Sequence, residues 1–133
     1  MTAVLQSEPT VKDRPRPRPL RVSAGAIVFE DVTFSYLARH KLLRGFDLRI
    51  EPGQRVGVVG PSGSGKTTLS KLLLRFVDVQ EGRILIDGHD ICEVSQAELR
   101  RQLTYVPQEP LLFHRSIRDN IAYGCMDAAD EQG

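Results

Sequence analysis

The stretch Gly60-Pro61-Ser62-Gly63-Ser64-Gly65-Lys66-Thr67-Thr68 decides the fold. It follows the apolar run Val56–Val59 and precedes a run of leucines with helical spacing. It satisfies the pattern G-x-x-x-x-G-K-[ST], and it has the preceding strand and following helix that a phosphate-binding loop requires. The sequence therefore predicts a loop that cradles the phosphates of a nucleotide.

The residue types in this stretch suit a triphosphate. Backbone N–H groups that converge at a helix N-terminus attract anions, and the helix dipole adds to that attraction. Gly63 and Gly65 let the backbone approach the phosphate oxygens. Lys66 supplies a mobile positive charge, the Thr67 hydroxyl suits a Mg²⁺ shell, and Thr68 is a further phosphate donor. A flexible glycine/serine loop is the alternative, and the flanking strand and helix disfavour it.

Length and composition are those of one globular domain of 133 residues. The formal net charge of +1 gives no basic surface for nucleic acid, so DNA or RNA binding is not expected. Cys92 and Cys125 lack zinc or redox spacing and are interpreted as reduced structural thiols. Neither an apolar run of about 18 residues nor a secretory signal occurs, so the chain by itself is expected to be cytosolic.

The N-terminal residues 1–25 are rich in proline and arginine, and Asp13-Arg14-Pro15-Arg16-Pro17-Arg18-Pro19 is their centre. Such a tract cannot continue a helix or pair as a central strand, so we predict an extended linker. A proline-rich ligand for a partner domain and a basic contact to lipid headgroups remain open. Residues 125–133 are predicted to form a tail.

Alternating and β-branched segments predict strands on both sides of the loop. Residues 26–36 predict a strand with a bulge at Glu30-Asp31, and residues 42–50 predict an antiparallel strand with one wet face. The run Val56–Val59 does not alternate, which predicts a strand buried on both faces. Shorter strands are predicted at 83–86, ending at the turn Asp87-Gly88, and at 103–106.

Three helices are predicted. The first covers residues 69–77, with Lys71 and Arg75 on its solvated side and an apolar stripe formed by Leu69, Leu72, Leu73, Phe76 and Val77. Ser95 and Glu98 form a capping box for a helix at 96–102, and Ser116 caps one at 117–122. The predicted fold class is α/β: a P-loop NTPase core, with a mixed sheet and flanking helices, plus an N-terminal antiparallel β extension.

A wider set of motifs accompanies the loop: Val32-Thr-Phe-Ser-Tyr36, Gly82-Arg-Ile-Leu-Ile-Asp-Gly88, Tyr105-Val-Pro-Gln-Glu-Pro-Leu-Leu-Phe113 and Ser116-Ile-Arg-Asp-Asn-Ile-Ala-Tyr-Gly124. Together they resemble the nucleotide-binding domain of ATP-binding cassette (ABC) transporters, and the exporter type fits best. The resemblance covers about Ile27 to Gly124, so residues 26–124 are expected to form part of such a domain.

The resemblance implies that the chain binds ATP and Mg²⁺. Tyr36 would stack on the adenine, and Gln108, like Thr67, would reach the Mg²⁺. The implied ATP-binding residues are Tyr36, Gly60, Ser62, Gly63, Ser64, Gly65, Lys66, Thr67, Thr68 and Gln108. Residues 109–118, with the apolar Leu111-Leu112-Phe113, would dock a membrane domain, although a locally buried loop is equally open.

Asp87 resembles a metal-holding carboxylate because an apolar strand leads to it. The following Gly88 makes a turn the better interpretation, and the family resemblance places this turn away from Mg²⁺. We therefore predict no metal at Asp87.

The resemblance also implies partners. In this family a transmembrane domain and a second nucleotide-binding domain, arranged head to tail, complete the transporter, and the site lies at the cytoplasmic face of the membrane. The signature loop, the Walker B Asp-Glu pair and the switch histidine do not occur in the 133 residues. We therefore assign no catalytic residue and expect negligible ATPase activity from this chain alone.

The residues also allow functions other than export. A cassette ATPase without a transport role and a binding-only remnant stay open. A small-molecule kinase or a GTPase is disfavoured, because no N-K-x-D pattern specifies guanine.

Overall fold

The computed structural model describes residues 11–36, 42–108 and 113–122. Its strands are β1 (Ile27–Phe34), β2 (Leu43–Ile50), β3 (Glu81–Ile86) and β4 (His89–Asp90). Its helices are α1 (Lys66–Leu73), α2 (Gln96–Arg101) and α3 (Ile117–Ala122), with a 3₁₀ turn at Ile91–Glu93. The strands form one antiparallel sheet in the order β2-β1-β3-β4. The predicted antiparallel extension is therefore confirmed.

A bulge in β1 sets the register of the sheet. Pairing with β2 shifts between Phe29 and Val32, and Asp31 has a φ of 48°. This confirms the bulge predicted at Glu30-Asp31. Gly82 on β3 faces it so closely that a Cβ would lie 2.3 Å from the carbonyl oxygens of Glu30 and Asp31. Only glycine fits at that position.

The core lies between the sheet and the helices α1 and α2. It contains the buried residues Leu20, Phe29, Val32, Phe34, Leu43, Leu72, Ile84, Ile86, Ile91, Val94 and Leu99. Alternate residues of β2 are half-buried, as the predicted wet face requires. The helices in the described ranges are all too short or too polar to cross a bilayer.

Two predicted strands, 56–59 and 103–106, are wrong for this structure, because neither segment pairs as a strand. Val56 is 41% exposed and Val59 is 92% exposed, whereas burial on both faces was predicted. An apolar run becomes a buried strand only when neighbours cover it. No described strand of this chain pairs with residues 56–59.

Helix α1 also differs from its prediction. It begins at Lys66 rather than Leu69 and ends at Leu73, because Arg75 adopts a left-handed φ of 54°. Arg75 was predicted to be solvated, but only 2% of it is exposed. Its guanidinium donates to Asp13 Oδ1 at 3.1 Å, to Asp78 Oδ1 at 3.0 Å and to the carbonyl of Val94 at 2.7 Å. These hydrogen bonds stabilise the buried position of the Arg75 side chain and with it the left-handed backbone at which the helix ends.

The predicted linker packs on the domain along residues 11–22, which we call the N-terminal strap. Arg18 N donates to the carbonyl of Glu93 at 2.7 Å, and Leu20 N donates to Glu98 Oε1 at 3.0 Å. Asp13 also accepts from Gln96 N at 3.1 Å. Sequence reasoning missed these contacts, because a proline-rich segment has no periodicity that reveals a partner. The domain boundary after residue 25 stays a prediction.

Both predicted cap residues, Ser95 and Ser116, are confirmed, whereas the Glu98 carboxylate of the predicted capping box accepts from Leu20 N instead. Ser95 Oγ accepts from Glu98 N at 3.3 Å at the start of α2, and Ser116 Oγ accepts from Asp119 N at 3.1 Å before α3. The turn at Asp87-Gly88 is also confirmed, with φ values of 47° and 80°. Such paired positive φ values match the right-handed twist of the hairpin strands β3 and β4.

Replacement of Asp13 by alanine should destabilise the fold. It removes one of the two carboxylates that face the buried Arg75 and exposes a donor at Gln96 N. We expect the free energy of unfolding to fall by about 1–3 kcal/mol, as for a lost hydrogen bond to a buried charge. Chemical denaturation measures it.

The matched control is Glu51→Ala, which breaks an exposed ion pair with Arg49. Exposed pairs contribute little, so this variant should lose less stability than Asp13→Ala. Equal stability losses in the two variants would contradict a structural role for the N-terminal strap.

Candidate functional site

The loop 60–65 leads directly into the first turn of α1. Gly65 occupies the N-cap with a left-handed φ of 94°, and no side chain caps the helix there. Ser64 N donates to the carbonyl of Pro61 at 3.2 Å, which folds the loop into a turn. The backbone donors of the first helical turn need partners from outside the helix, so this end can receive an anion.

Close packing explains why glycines occupy the loop. A Cβ on Gly60 would lie 2.7 Å from Ser64 Oγ, and one on Gly65 would lie 3.3 Å from Leu42 Cγ. Gly63 has a φ of 78°, which L side chains rarely adopt. The conformation of the loop therefore requires glycine at these positions.

The ammonium group of Lys66 folds back over the loop. Its Nζ donates to the carbonyls of Gly60 and Pro61 at 2.7 and 2.8 Å, and it lies 3.4 Å from Ser64 Oγ. All three acceptors are neutral. Since no described carboxylate pairs with Lys66, its positive charge remains available to an anion at the loop.

Tyr36 lines the same cavity as the loop and the first turn of α1. The residue is 54% exposed, and its ring meets Phe34 edge to face with the centroids 4.9 Å apart. The Tyr36 hydroxyl lies 3.4 Å from Oγ1 of the buried Thr68. The cavity, of about 460 Å³, is lined by Tyr36, Leu42, Ser62, Gly63, Gly65, Lys66, Thr67 and Thr68.

The structure thus brings together most of the predicted site residues. Gly60 and Ser64 do not line the cavity, but both contact the Lys66 ammonium group. Gln108 is exposed and does not line the cavity. Leu42 was missed, because only the folded chain brings this residue of the β1–β2 connection against Gly65.

The predicted docking segment is described only in part, since residues 109–112 lie outside the described residues. Phe113 is 51% exposed, and the guanidinium of Arg115 lies 5.8 Å from its ring centroid. Asn120 holds the backbone here: its Oδ1 accepts from Phe113 N at 2.9 Å, and its Nδ2 donates to the Phe113 carbonyl at 3.1 Å. An exposed aromatic ring is therefore presented at the start of α3.

The Asp87 carboxylate accepts hydrogen bonds from backbone amides. Its Oδ2 accepts from the amides of Ser23, Ala24 and Gly25 at 2.7 to 3.0 Å, and its Oδ1 accepts from Ala26 N at 2.8 Å. These amides hold the pKa of the carboxyl well below its ordinary value. The carboxylate fixes the chain at the entry to β1, which is a structural role.

Cys92 is a half-buried free thiol. Burial, together with the nearby charges of Asp90 and Asp78, raises its pKa to about 11. A raised pKa favours the protonated thiol, which is the less nucleophilic form.

The family model described as "ABC transporter" matches residues 43–132. The chain belongs to the ABC transporter family. The match includes the loop, α1 and Gln108, whereas the motif Val32–Tyr36 lies before the matched residues.

Relatives of this ABC transporter chain include an uncharacterized ABC transporter ATP-binding protein of Haemophilus influenzae, 49% identical over 92% of this chain and 20% of its own length. ATP-binding cassette sub-family B member 6 of Homo sapiens is 45% identical over 99% of the chain and 16% of its own length. The mitochondrial iron-sulfur clusters transporter atm1 of Aspergillus fumigatus is 46% identical over 92% of the chain and 17% of its own length.

Among solved structures, a bacterial Atm1-family ABC exporter with ATP bound superposes with a TM-score of 0.83 at 44% identity. The match covers 90% of this chain and 21% of that one. This confirms the P-loop NTPase fold and the exporter type. The chain spans about a fifth of the length of the relatives that it matches.

Replacement of Asp87 by asparagine should destabilise the protein at neutral pH. The folded-state pKa of Asp87 lies below its ordinary value of 3.8. The stabilisation by the charged carboxylate is therefore complete above that value and is lost as the pH falls through the folded-state pKa. Denaturation of both proteins between pH 7 and pH 2 should show a stability difference that shrinks below about pH 4.

Asp90→Asn is the matched control, because Asp90 accepts from a single amide, that of Cys92. Its loss of stability at neutral pH should be smaller. A stability difference between wild type and Asp87→Asn that does not change with pH would contradict the role of the charge.

Proposed function

We propose that this chain binds Mg-ATP and acts as the ATP-binding part of a transporter that exports a substrate across a membrane. The observation that carries the proposal is the single cavity that joins Tyr36 to the loop and first turn of α1. Its volume of about 460 Å³ lies within the range of small-molecule sites.

The phosphates would bind at the start of α1. Amides of the loop and the first helical turn would donate to the phosphate oxygens, and the helix dipole would favour their negative charge. Lys66 would exchange its carbonyl acceptors at Gly60 and Pro61 for phosphate oxygens. This exchange is favourable because a charged acceptor forms the stronger hydrogen bond.

The adenine would stack on Tyr36. More than half of this residue is exposed, and the ring is fixed by Phe34 and by the contact of its hydroxyl with Thr68. A ring that is already fixed loses little conformational entropy when a base stacks on it.

Mg²⁺ would be held by the Thr67 hydroxyl together with phosphate oxygens and water, which is the usual environment of this ion. Thr67 is exposed and lines the cavity. When bound, Mg²⁺ would neutralise part of the phosphate charge. Gln108 would have to move towards the cavity to join this shell.

This stretch of the chain would bind ATP but would not activate water. No carboxylate lines the cavity formed by the described residues. Groups beyond the described residues would orient the attacking water. A second nucleotide-binding domain would close the site, and a transmembrane domain would dock near Phe113, at the cytoplasmic face of the membrane.

Removal of the Lys66 charge should weaken ATP binding. Lys66→Ala deletes a charged hydrogen-bond donor, which contributes about 1.5–3 kcal/mol, so the Kd for Mg-ATP should rise by about 10- to 150-fold. Titration calorimetry in the presence of Mg²⁺ measures it.

Arg101→Ala removes an exposed cation of α2 that does not line the cavity, and it should leave the Kd unchanged. GTP in competition should bind no more tightly than ATP. Wild-type protein that binds no ATP, or a Lys66→Ala variant that binds as wild type does, would overturn the proposed function.

A further inference from the structure

Lys71 contacts the ring that lines the candidate ATP site. Its Nζ lies 5.8 Å from the centroid of the Tyr36 ring, within the range of a cation–π interaction. Lys71 is exposed and does not line the cavity itself. No described carboxylate forms an ion pair with it. Among the described residues, the ammonium group of Lys71 therefore has the Tyr36 ring as its partner.

Helix geometry explains why Lys71 reaches Tyr36. Thr68 and Lys71 are three residues apart on α1, so they share one face of the helix. Thr68 meets the Tyr36 hydroxyl, and Lys71 meets the ring of the same residue. Tyr36 thus lies along this face of α1, with Phe34 against it from β1.

Three side chains contact Tyr36 and together define the orientation of its ring. Phe34 contacts the ring at an interplanar angle of 88°, Thr68 meets the hydroxyl, and Lys71 lies over the ring. Phe34 and Thr68 are buried and fixed by the core, whereas Lys71 reaches the ring from solvent. Lys71 is therefore the one contact of the three that can be altered without disturbing the core.

We propose that Lys71 is a positioning residue for base recognition: its ammonium group holds the Tyr36 ring against α1 in the orientation on which the adenine stacks. This inference rests on the proposed function. It predicts that Lys71 strengthens the binding of the base and has no effect on the binding of the phosphates. A basic residue that simply attracted the triphosphate would act on both.

The experiment compares two probes in the full chain, Mg-ATP and inorganic tripolyphosphate with Mg²⁺. Tripolyphosphate carries the phosphates and lacks the base. Lys71→Gln keeps much of the length of the side chain and removes the charge, and its exposed position should leave the fold intact. We expect the Kd for Mg-ATP to rise by about two- to fivefold and the Kd for tripolyphosphate to stay unchanged.

Two further variants separate positioning from other roles. Lys71→Arg keeps the cation over the ring and should restore the wild-type Kd for Mg-ATP. In a Tyr36→Ala background, Lys71→Gln should have no further effect, because the ring through which it acts is gone.

An equal loss of affinity for both probes, or no loss for either, would overturn the role of Lys71. The proposed function fails in a different way, with no binding of either probe by the wild type or no effect of Lys66→Ala.

Discussion

The buried guanidinium of Arg75 is the interaction on which the arrangement around α1 depends. A buried charge is costly unless it is paired and fully hydrogen-bonded. Here Asp13 and Asp78 supply carboxylates, and the carbonyls of Val94 and Lys12 accept further bonds. One side chain thus joins the N-terminal strap, the end of α1 and the segment before α2. Its left-handed backbone has a steric cost, which these bonds offset.

Fixing the end of α1 also fixes its beginning, because a helix of two turns is rigid. Arg100 adds to this by donating to the carbonyls of Leu74 and Arg75, at 3.1 and 3.2 Å, while its guanidinium stacks 4.6 Å from the Phe76 ring. Leu72 anchors the middle of the helix in the core. The loop before α1 is therefore attached to a helix whose position is fixed. A site whose donors must converge on one anion needs such a rigid support.

Local chemistry decided which parts of this structure could be predicted. The loop, the bulge in β1, the turn at Asp87-Gly88 and the caps of α2 and α3 follow from residues within a few positions of each other. The absence of a strand at 56–59 and the burial of Arg75 do not, since both depend on which distant segment lies alongside. For the site, the motif indicated the phosphate end, and the family resemblance indicated Tyr36. The contributions of Leu42 and Lys71 arise only from tertiary packing.

The central claim is that the loop 60–68 and Tyr36 form one ATP site. The most direct test is a structure of the chain with Mg²⁺ and a slowly hydrolysed ATP analogue. The account predicts phosphate oxygens against the amides at the start of α1, Lys66 Nζ moved from the carbonyls of Gly60 and Pro61 to the phosphates, and the adenine stacked on Tyr36. A nucleotide bound elsewhere, with Lys66 still on those carbonyls, would contradict it.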